Sequence, residues 1–285
     1  MPFTIVCDSA ANLPSRQLAR YGIVSVPLRY TLDGVTHDCP PPDQYGASSF
    51  FQALRDGAST QTSLVSAGRF IEYFDVLMAS GRDVLCLTVS SGVSGTYQAA
   101  CLAAMEMRSR YPNREIFIID SKAAGLGEGL LALYAAQLKE QGYSLSATMN
   151  RVERKLQTLE QIFTVEDLEF LRRSGRINSL TTKIGTLLQL RPLLHGVDGK
   201  IAALGKARGR KAAIQALADQ YGQKARFGGA VAISHADCAA DAAALEQAIR
   251  ALDPEVRILT VPWEPVTGSH CGPGALAVFF FGNNK

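Results

Sequence analysis

A loop rich in serine and glycine, SSGVSGTY at residues 90–97, links a strand-like run to a helix-like run. Gly92 and Gly95 allow the backbone to approach a ligand closely. A helix beginning at Ser94 would direct its unpaired N–H groups and the positive end of its dipole at that ligand, and the serine hydroxyl adds another donor. The loop therefore predicts a small binding site for a carboxylate or phosphate, although an ordinary serine cap in a tight turn has the same pattern.

A second candidate for chemistry is His270, which lies in the sequence GSHCGPG near the end of the chain. The flanking glycines and the proline predict a stiff loop before the last strand. A neutral histidine donates a hydrogen bond to an anion, and a protonated one forms an ion pair with it. A hydrolase in which His270 activates Ser94, with Asp8 or Asp120 as orienting acid, stays open as an alternative, although nothing in the spacing supports it.

Signatures of nucleotide and metal chemistry are absent from the sequence. It has no GxxxxGK[ST] segment, and the turn after the first strand reads CDSAANLP rather than GxGxxG. The six cysteines contain no CxxC pair, and no two histidines have the spacing of helical metal ligands. We therefore predict no catalytic residues, no metal and no cofactor. The cysteines are expected to be reduced, which is typical of a cytoplasmic protein.

The composition predicts a globular protein with a large core, because 47% of the 285 residues are hydrophobic and 19% are charged. No run reaches the roughly 18 apolar residues of a membrane helix, and MPFTIVCDS does not resemble a signal peptide. We expect at most a transient contact with membranes.

Basic residues are concentrated in one segment. Residues 172–211 contain ten Lys or Arg and one acid, Asp198, so this segment carries +9 while the whole chain carries +3. Such a segment favours an anionic partner, and a solvated face gives the same count. The segment lacks the interleaved aromatic residues of a single-strand groove, so we do not expect nucleic-acid binding.

Apolar strands alternate with helical periods along the chain, which predicts an α/β fold built from parallel β-α units. The pattern occurs twice, and it predicts two α/β domains, residues 1–157 and residues 158–285, with a ligand cleft between them. The predicted strands are Phe3–Cys7, Ile23–Tyr30, Val84–Val89, Ile116–Asp120, Gly229–Ser234, Val256–Pro262 and Leu276–Phe281. One predicted helix is capped by Asn12, a second starts near Ser66, and a third runs from Ser94 to about Arg110. Further helices are predicted at Leu126–Gln141, Leu145–Leu156 and Ala239–Leu252.

Taken together, these loops resemble the DegV family of fatty-acid-binding proteins, the acyl-carrier subunits of bacterial fatty acid kinase. The resemblance runs from residue 5 to residue 277. Its segments are IVCDSAANLP, TSLVS, VSSGVSGTYQAA, IIDSKAAGLGEG, VEDLEFLRRSGRI, IGTLLQLRPLL, DGKI, KARGRKAA, ISHAD and GSHCGPGALA.

The resemblance implies a non-enzymatic carrier that holds a long-chain fatty acid in a tunnel between the two domains. The carrier would present the carboxylate to an ATP-binding kinase subunit, which forms the acyl phosphate, and would not itself bind ATP. The implied head-group residues are Thr62, Ser63, Ser94, Gly95 and His270. The implied docking surface for the kinase consists of Arg172, Arg173, Arg176 and Arg210.

Three segments depart from the usual family pattern. TSLVS replaces TSQPS, GSHCGPG replaces GTHTGPG, and Ser174 stands where glycine is common. No implied carboxylate ligand is lost, but Cys271 places an oxidisable thiol near the expected head group. A small-anion binding or regulatory module that uses the same loops without a lipid remains an alternative function.

Overall fold

A computed structural model of the chain describes residues 2–177 and 190–283. The first sheet consists of four parallel strands, β1 (Phe3–Asp8), β2 (Val24–Val26), β6 (Asp83–Thr88) and β7 (Ile116–Asp120). Their order across the sheet is β2-β1-β6-β7. Strands β1 and β6 are buried along their whole length, as expected for a parallel sheet that is covered on both faces.

A small antiparallel sheet lies beside the first one. It consists of β3 (Arg29–Leu32), β4 (Val35–Asp38) and β5 (Thr60–Ser63), in the order β4-β3-β5. The helices of this half of the chain are α1 (Ser15–Tyr21), α2 (Ala47–Arg55), α3 (Ala67–Ala79), α4 (Thr96–Arg110), α5 (Leu126–Glu140) and α6 (Leu145–Leu156). Helix α5 is largely buried because it packs against strands of both large sheets.

The third sheet contains six strands in the order β10-β9-β8-β13-β11-β12. They are β8 (Leu159–Thr164), β9 (Leu190–Val197), β10 (Lys200–Arg208), β11 (Ala230–His235), β12 (Arg257–Pro262) and β13 (Leu276–Phe281). The remaining described helices are α7 (Glu169–Arg173), α8 (Arg210–Lys224), α9 (Ala239–Leu252) and α10 (Pro265–Cys271). The apolar strand β13 lies in the middle of the sheet, where both of its faces are covered.

The α/β fold class is confirmed, but the expected second array of parallel units is wrong. Strands β11 and β12 pair in parallel, whereas the other described pairs of the third sheet are antiparallel. The predicted strand Ile23–Tyr30 is divided into β2 and β3. The two large sheets lie on opposite sides of residue 157 in the sequence, and the division into two domains there stays a prediction.

Two local expectations also need correction. The segment predicted as a loop around His270 is largely the helix α10, whose N-cap is Glu264. The side chain of Asn12 does not cap α1. It instead accepts a hydrogen bond from the Glu264 amide at 2.8 Å and donates to the Ser234 hydroxyl and the Pro262 carbonyl. Asn12 therefore ties the loop after β1 to the segment that leads into α10.

Within residues 2–177 and 190–283, no helix is both long enough and apolar enough to span a bilayer.

Candidate functional site

A cavity of about 430 Å³ lies where β5, the loops after β6 and β7, helices α7 and α10, and the third sheet meet. This volume is within the range of about 300–1,000 Å³ that small-molecule sites occupy. All five residues predicted for the head group line it, namely Thr62, Ser63, Ser94, Gly95 and His270. The apolar side chains of its lining include Val89, Phe163, Leu171, Trp263, Val266 and Phe279.

The cavity has a polar, exposed side and an apolar, buried side. Ser63, Gly95, Lys122 and Lys200 are exposed lining residues, whereas Leu171, Trp263, Ala277 and Phe279 are buried. A molecule with one polar end and one apolar chain would match this division, because burying a charged group without partners is costly.

Thr62 and His270 meet directly although 208 residues separate them in the sequence. Strand β5 carries Thr62, and α10 carries His270 in its last turn. The Thr62 Oγ1 atom lies 2.9 Å from His270 Nε2, within hydrogen-bond distance. Helix α10 is stabilised at its start because the Glu264 carboxylate accepts hydrogen bonds from the amides of Val266 and Thr267.

The pKa of His270 is lowered to about 3, first by burial and second by the positive charge of Arg176. Its imidazole is therefore neutral at physiological pH, with one ring nitrogen able to donate and the other able to accept. A neutral imidazole offers a hydrogen bond to an anion rather than an ion pair. The positive charge nearby comes from Arg176, which also lines the cavity.

The loop of residues 90–97 differs from its expected form in one respect. Helix α4 begins at Thr96 rather than Ser94, and the Ser94 hydroxyl lies 2.9 Å from Thr96 Oγ1 and accepts a hydrogen bond from the Thr96 amide. Gly95 is the N-cap residue of α4 and faces the side chain of Leu64. Ser94 and Gly95 thus border the cavity from the start of the helix.

Gly92 is required by a close contact within the protein and not by a ligand. A Cβ atom at this position would overlap the carbonyl oxygen of Gly199, in the turn between β9 and β10. The Ser90 hydroxyl donates a 2.6 Å hydrogen bond to that same carbonyl. The expectation that Gly92 permits a close approach of ligand is therefore wrong, because the β9–β10 turn occupies that space.

The four arginines assigned to partner docking have different surroundings. Arg172 is exposed and forms an ion pair with Glu169, while the guanidinium of Arg173 lies 4.9 Å from the ring centroid of Phe170. Arg176 is half-buried and lines the cavity. Arg210 forms an ion pair with Asp241 on α9, with Nε 2.9 Å from Oδ2.

Part of the basic segment lies outside the described residues. This applies to Lys183 and to residues 184–189 of the segment IGTLLQLRPLL.

Cys271 lines the cavity next to His270 in the sequence and is buried. Burial raises the pKa of its thiol to about 12, with a smaller contribution from Glu264. The thiol is therefore protonated at neutral pH, the form that reacts slowly with oxidants.

The acids considered for a hydrolase are engaged elsewhere. Asp120 forms a hydrogen bond with the Ser91 hydroxyl and an ion pair with Lys122. Asp8 accepts hydrogen bonds from the amides of Ala10 and Val89. The described residues also contain no cluster of His, Cys, Asp and Glu side chains that could hold a metal ion.

Lys122, Lys200 and Trp263 also line the cavity, although the sequence did not single them out for this site. Lys122 follows the end of β7, where a polar loop was visible in the sequence. Lys200 begins β10, a strand that the hydrophobic pattern did not predict. Trp263 is the one tryptophan of the chain, and its place between β12 and α10 depends on contacts with distant residues.

Fold and site together define an α/β protein in which α5 packs against strands of both large sheets and a cavity has both polar and apolar lining residues. The chain belongs to the DegV family: the family model described as "Uncharacterised protein, DegV family" matches residues 2–283. A DegV domain-containing protein of Clostridium perfringens is 36% identical over 286 residues, which cover 99% of this chain and 98% of that protein.

Solved structures of the family have the same fold over the whole chain. A DegV family protein from Thermus thermophilus, described by its fatty acid binding, is 33% identical with a TM-score of 0.89, covering 99% of this chain and 100% of that one. DegV from Bacillus subtilis, described as a fatty acid binding protein, is 27% identical with a TM-score of 0.85 and covers 99% of both chains.

Proposed function

We propose that this protein binds a long-chain fatty acid in the cavity and presents its carboxylate to an ATP-dependent kinase subunit. The observation that carries the proposal is one cavity lined both by polar side chains, among them the bonded pair Thr62 and His270, and by buried apolar side chains. Ser94 and Arg176 belong to the same lining. The related proteins from Thermus thermophilus and Bacillus subtilis, both described as binding fatty acids, support the same ligand class.

Binding would be driven by the acyl chain and oriented by the head group. An acyl chain of about 16 carbons buries roughly 15 methylene-sized units, or on the order of 12 kcal/mol before the cost of association and chain ordering. The carboxylate needs several donors when it leaves water. The Thr62 and Ser94 hydroxyls, the neutral His270 ring and the Arg176 guanidinium are suited to that role.

The carrier role is the finer part of the proposal. A carboxylate at the exposed side, next to Ser63 and Gly95, stays accessible to another protein. Arg172 and Arg173 are exposed on α7, and Arg176, which follows this helix, lines the cavity and lies close enough to His270 to lower its pKa. A partner bound to Arg172 and Arg173 would therefore be near the head group. The chain itself would contribute no phosphoryl transfer, and the kinase subunit would supply ATP.

A small-anion module and a serine–histidine hydrolase have less support from the geometry. The apolar side of the cavity has no role in binding a small anion. The hydrolase needs a hydrogen bond between Ser94 and His270, but His270 Nε2 lies next to Thr62, and Ser94 bonds with Thr96. A histidine with a pKa near 3 is also a weak general base at neutral pH.

Native mass spectrometry of the purified protein, compared with its Thr62→Val and Thr60→Val variants, tests this proposal. Thr62→Val removes one donor to a charged head group and should weaken fatty-acid binding by about 10- to 100-fold. Thr60→Val is the control, because Thr60 lies on the same strand and face but does not line the cavity. Absence of a fatty-acid complex in the wild type, even after incubation with a series of chain lengths, would contradict the proposal.

The kinase step is tested separately with lipid-loaded protein, ATP and the kinase subunit encoded by the same organism. We expect acyl phosphate only when all three are present. Hydrolysis of activated fatty esters by the protein alone, lost in His270→Ala, would instead favour the hydrolase.

A further inference from the structure

A second cavity, of about 400 Å³, lies at the C-terminal end of β13. Its lining comes from α5, the last turn of α6, the segment between α8 and β11, the starts of β11 and β12, and the end of β13. Ala277 and Phe279 of β13 line the proposed fatty-acid cavity, whereas Phe280 and Phe281 line the second one. No described residue lines both cavities, so the second cavity has no part in the proposed function.

The described lining of the second cavity contains three cations, Lys155, Arg226 and Arg257, and no acid. None of the three forms an ion pair within residues 2–177 and 190–283. The Lys155 Nζ atom lies instead 4.3 Å from the ring centroid of Phe281 and 5.9 Å from that of Tyr134. Aromatic faces compensate an ammonium group only weakly, so the positive charge of this cavity is largely unbalanced.

Contacts of the backbone hold these cations near one another. The Arg226 amide donates a hydrogen bond to the Phe281 carbonyl at 3.2 Å, and the Phe281 ring contacts Lys155. The Arg257 amide donates to the carbonyl of Gly229, in the segment that follows Arg226. Burial, and secondly the charge of Arg226, lower the pKa of Lys155. Cations that repel each other around one cavity favour a bound anion, which would relieve the repulsion.

An aromatic surface lies next to this charge. Phe227 directly follows Arg226 and lines the same cavity. Its ring stacks on that of Tyr221, with centroids 5.8 Å apart and an interplanar angle of 13°. The Phe227 side chain is nevertheless 52% exposed, so much of the ring is accessible to a ligand. Planar heterocycles stack on accessible aromatic rings of this kind.

We propose that the second cavity binds a nucleoside monophosphate, with the phosphate among Lys155, Arg226 and Arg257 and the base on Phe227. A phosphate monoester carries about −1.5 to −2 charges near neutral pH, so it balances this group of cations better than one carboxylate does. A guanidinium can bind phosphate through two parallel hydrogen bonds, and the cavity offers two guanidinium groups. The volume of about 400 Å³ is within the usual range for small-molecule sites.

Calorimetric titration of the purified protein with the four ribonucleoside monophosphates, the free nucleosides and inorganic phosphate tests this proposal. We expect at least one monophosphate to bind roughly 10-fold more tightly than its nucleoside and than inorganic phosphate, because each fragment engages only part of the site. The affinity should fall as ionic strength rises. Absence of monophosphate binding, or equal affinities for the monophosphates and inorganic phosphate, would overturn the proposal.

The variant Lys155→Met removes one charge while keeping an aliphatic chain over the rings, and it should weaken monophosphate binding by roughly 10-fold. The matched control is Lys139→Met. Lys139 also lies over an aromatic ring, that of Phe3 at 5.5 Å, and burial also lowers its pKa, but it does not line the cavity. Monophosphate affinity should be unchanged in this control.

The exposed residue Arg257 provides a second variant, Arg257→Gln, whose position makes misfolding a poor explanation for lost binding. It should weaken monophosphate binding and leave the fatty-acid content unchanged, because Arg257 does not line the fatty-acid cavity. Wild-type affinity for the monophosphate in both Lys155→Met and Arg257→Gln would overturn the proposed site without affecting the proposed function. A protein that binds the monophosphate but no fatty acid would contradict only the proposed function.

Discussion

In the proposed complex, the Thr62–His270 pair would contact the charged head group without adding a second buried charge beside Arg176. Burial and Arg176 keep the His270 ring neutral. A neutral ring can exchange hydrogen bonds with both a hydroxyl and a carboxylate, whereas a protonated ring would be repelled by the positive charge of Arg176. The charge for the carboxylate is therefore expected from Arg176 and the orientation from Thr62 and His270.

The low pKa of His270 makes a prediction about stability and pH. The unfolded chain takes up this proton near pH 6.5, and the folded chain excludes it until about pH 3. The contribution of His270 to the free energy of unfolding is therefore fully present above pH 6.5 and is lost progressively as the pH falls towards 3. In His270→Gln this loss is absent, so urea unfolding of delipidated protein should show the wild type losing free energy of unfolding relative to the variant between pH 7 and pH 5.

Burial also lowers the pKa of His235, and this residue titrates in both proteins, so the difference between them isolates His270. If the difference in the free energy of unfolding between the wild type and His270→Gln does not change with pH, the His270 ring titrates normally in the folded protein.

Single residues also show what sequence could and could not reveal. The head-group residues were predicted through motifs and the family resemblance, and all of them line one cavity. Arg176 was assigned to a docking surface through the family resemblance, which does not tell which arginine of the basic segment turns inward. Its half-buried position depends on the way Leu171 and the turn after α7 pack into the cavity, and that packing is a property of distant contacts.

At the scale of elements, the β9–β10 hairpin closes one side of the cavity through contacts with the loop after β6. Gly196, Gly199, Lys200 and Ile201 of the hairpin line the cavity. The contact is made by backbone against backbone at Gly92 and Gly199, and Ser90 adds a hydrogen bond to it. Because neither glycine can carry a Cβ in this arrangement, steric contact fixes the position of the hairpin relative to the loop after β6.

We expect Gly92→Ala to displace the hairpin and to lower the free energy of unfolding by about 1–3 kcal/mol, since backbone atoms yield poorly to an added methyl group. Gly68→Ala is the control, because this glycine lies in α3 with open space around its Cβ position, and alanine should stabilise the helix by about 0.5–1 kcal/mol. Chemical denaturation measures both changes, and equal stability of Gly92→Ala and wild type would contradict the close contact.

The elements differ in how well the sequence predicts them. Strands Ile116–Asp120 and Leu276–Phe281 have the predicted bounds, because continuous apolar runs mark them. Strands β8 and β10 were missed, since their mixed sequences LEQIFT and KIAALGKAR are partly exposed. β8 pairs with the distant strand β13, and β10 is the edge strand of the hairpin that it forms with β9. Helix α10 was missed because of its glycine and serine content, although Glu264 followed by Pro265 is a helix-start signal.

At the scale of the whole molecule, charge and cavity are placed next to each other by α7. This short helix directs Leu171 into the cavity and exposes Arg172 and Arg173. Arg176, which follows α7, lines the cavity and acts on His270, so the excess of positive charge in residues 172–211 begins beside the proposed head-group site. An approaching partner with an acidic surface would be attracted to the side of the molecule where the carboxylate is accessible.

Reversing the charge at Arg172 and Arg173 should therefore separate partner coupling from lipid binding. In the double variant Arg172→Glu and Arg173→Glu, the association rate with the kinase subunit should fall on the order of tenfold at low salt, and the defect should diminish as ionic strength rises. The fatty-acid content should stay near the wild-type level, because neither side chain lines the cavity.

The matched control is Arg20→Glu with Arg29→Glu, two exposed arginines that also form surface ion pairs, with Glu140 and Asp38. This control changes the net charge by the same amount at positions outside the basic segment, so a general electrostatic effect would slow both variants equally. Equal rates for the two double variants, or loss of lipid with normal coupling, would contradict a docking role for α7.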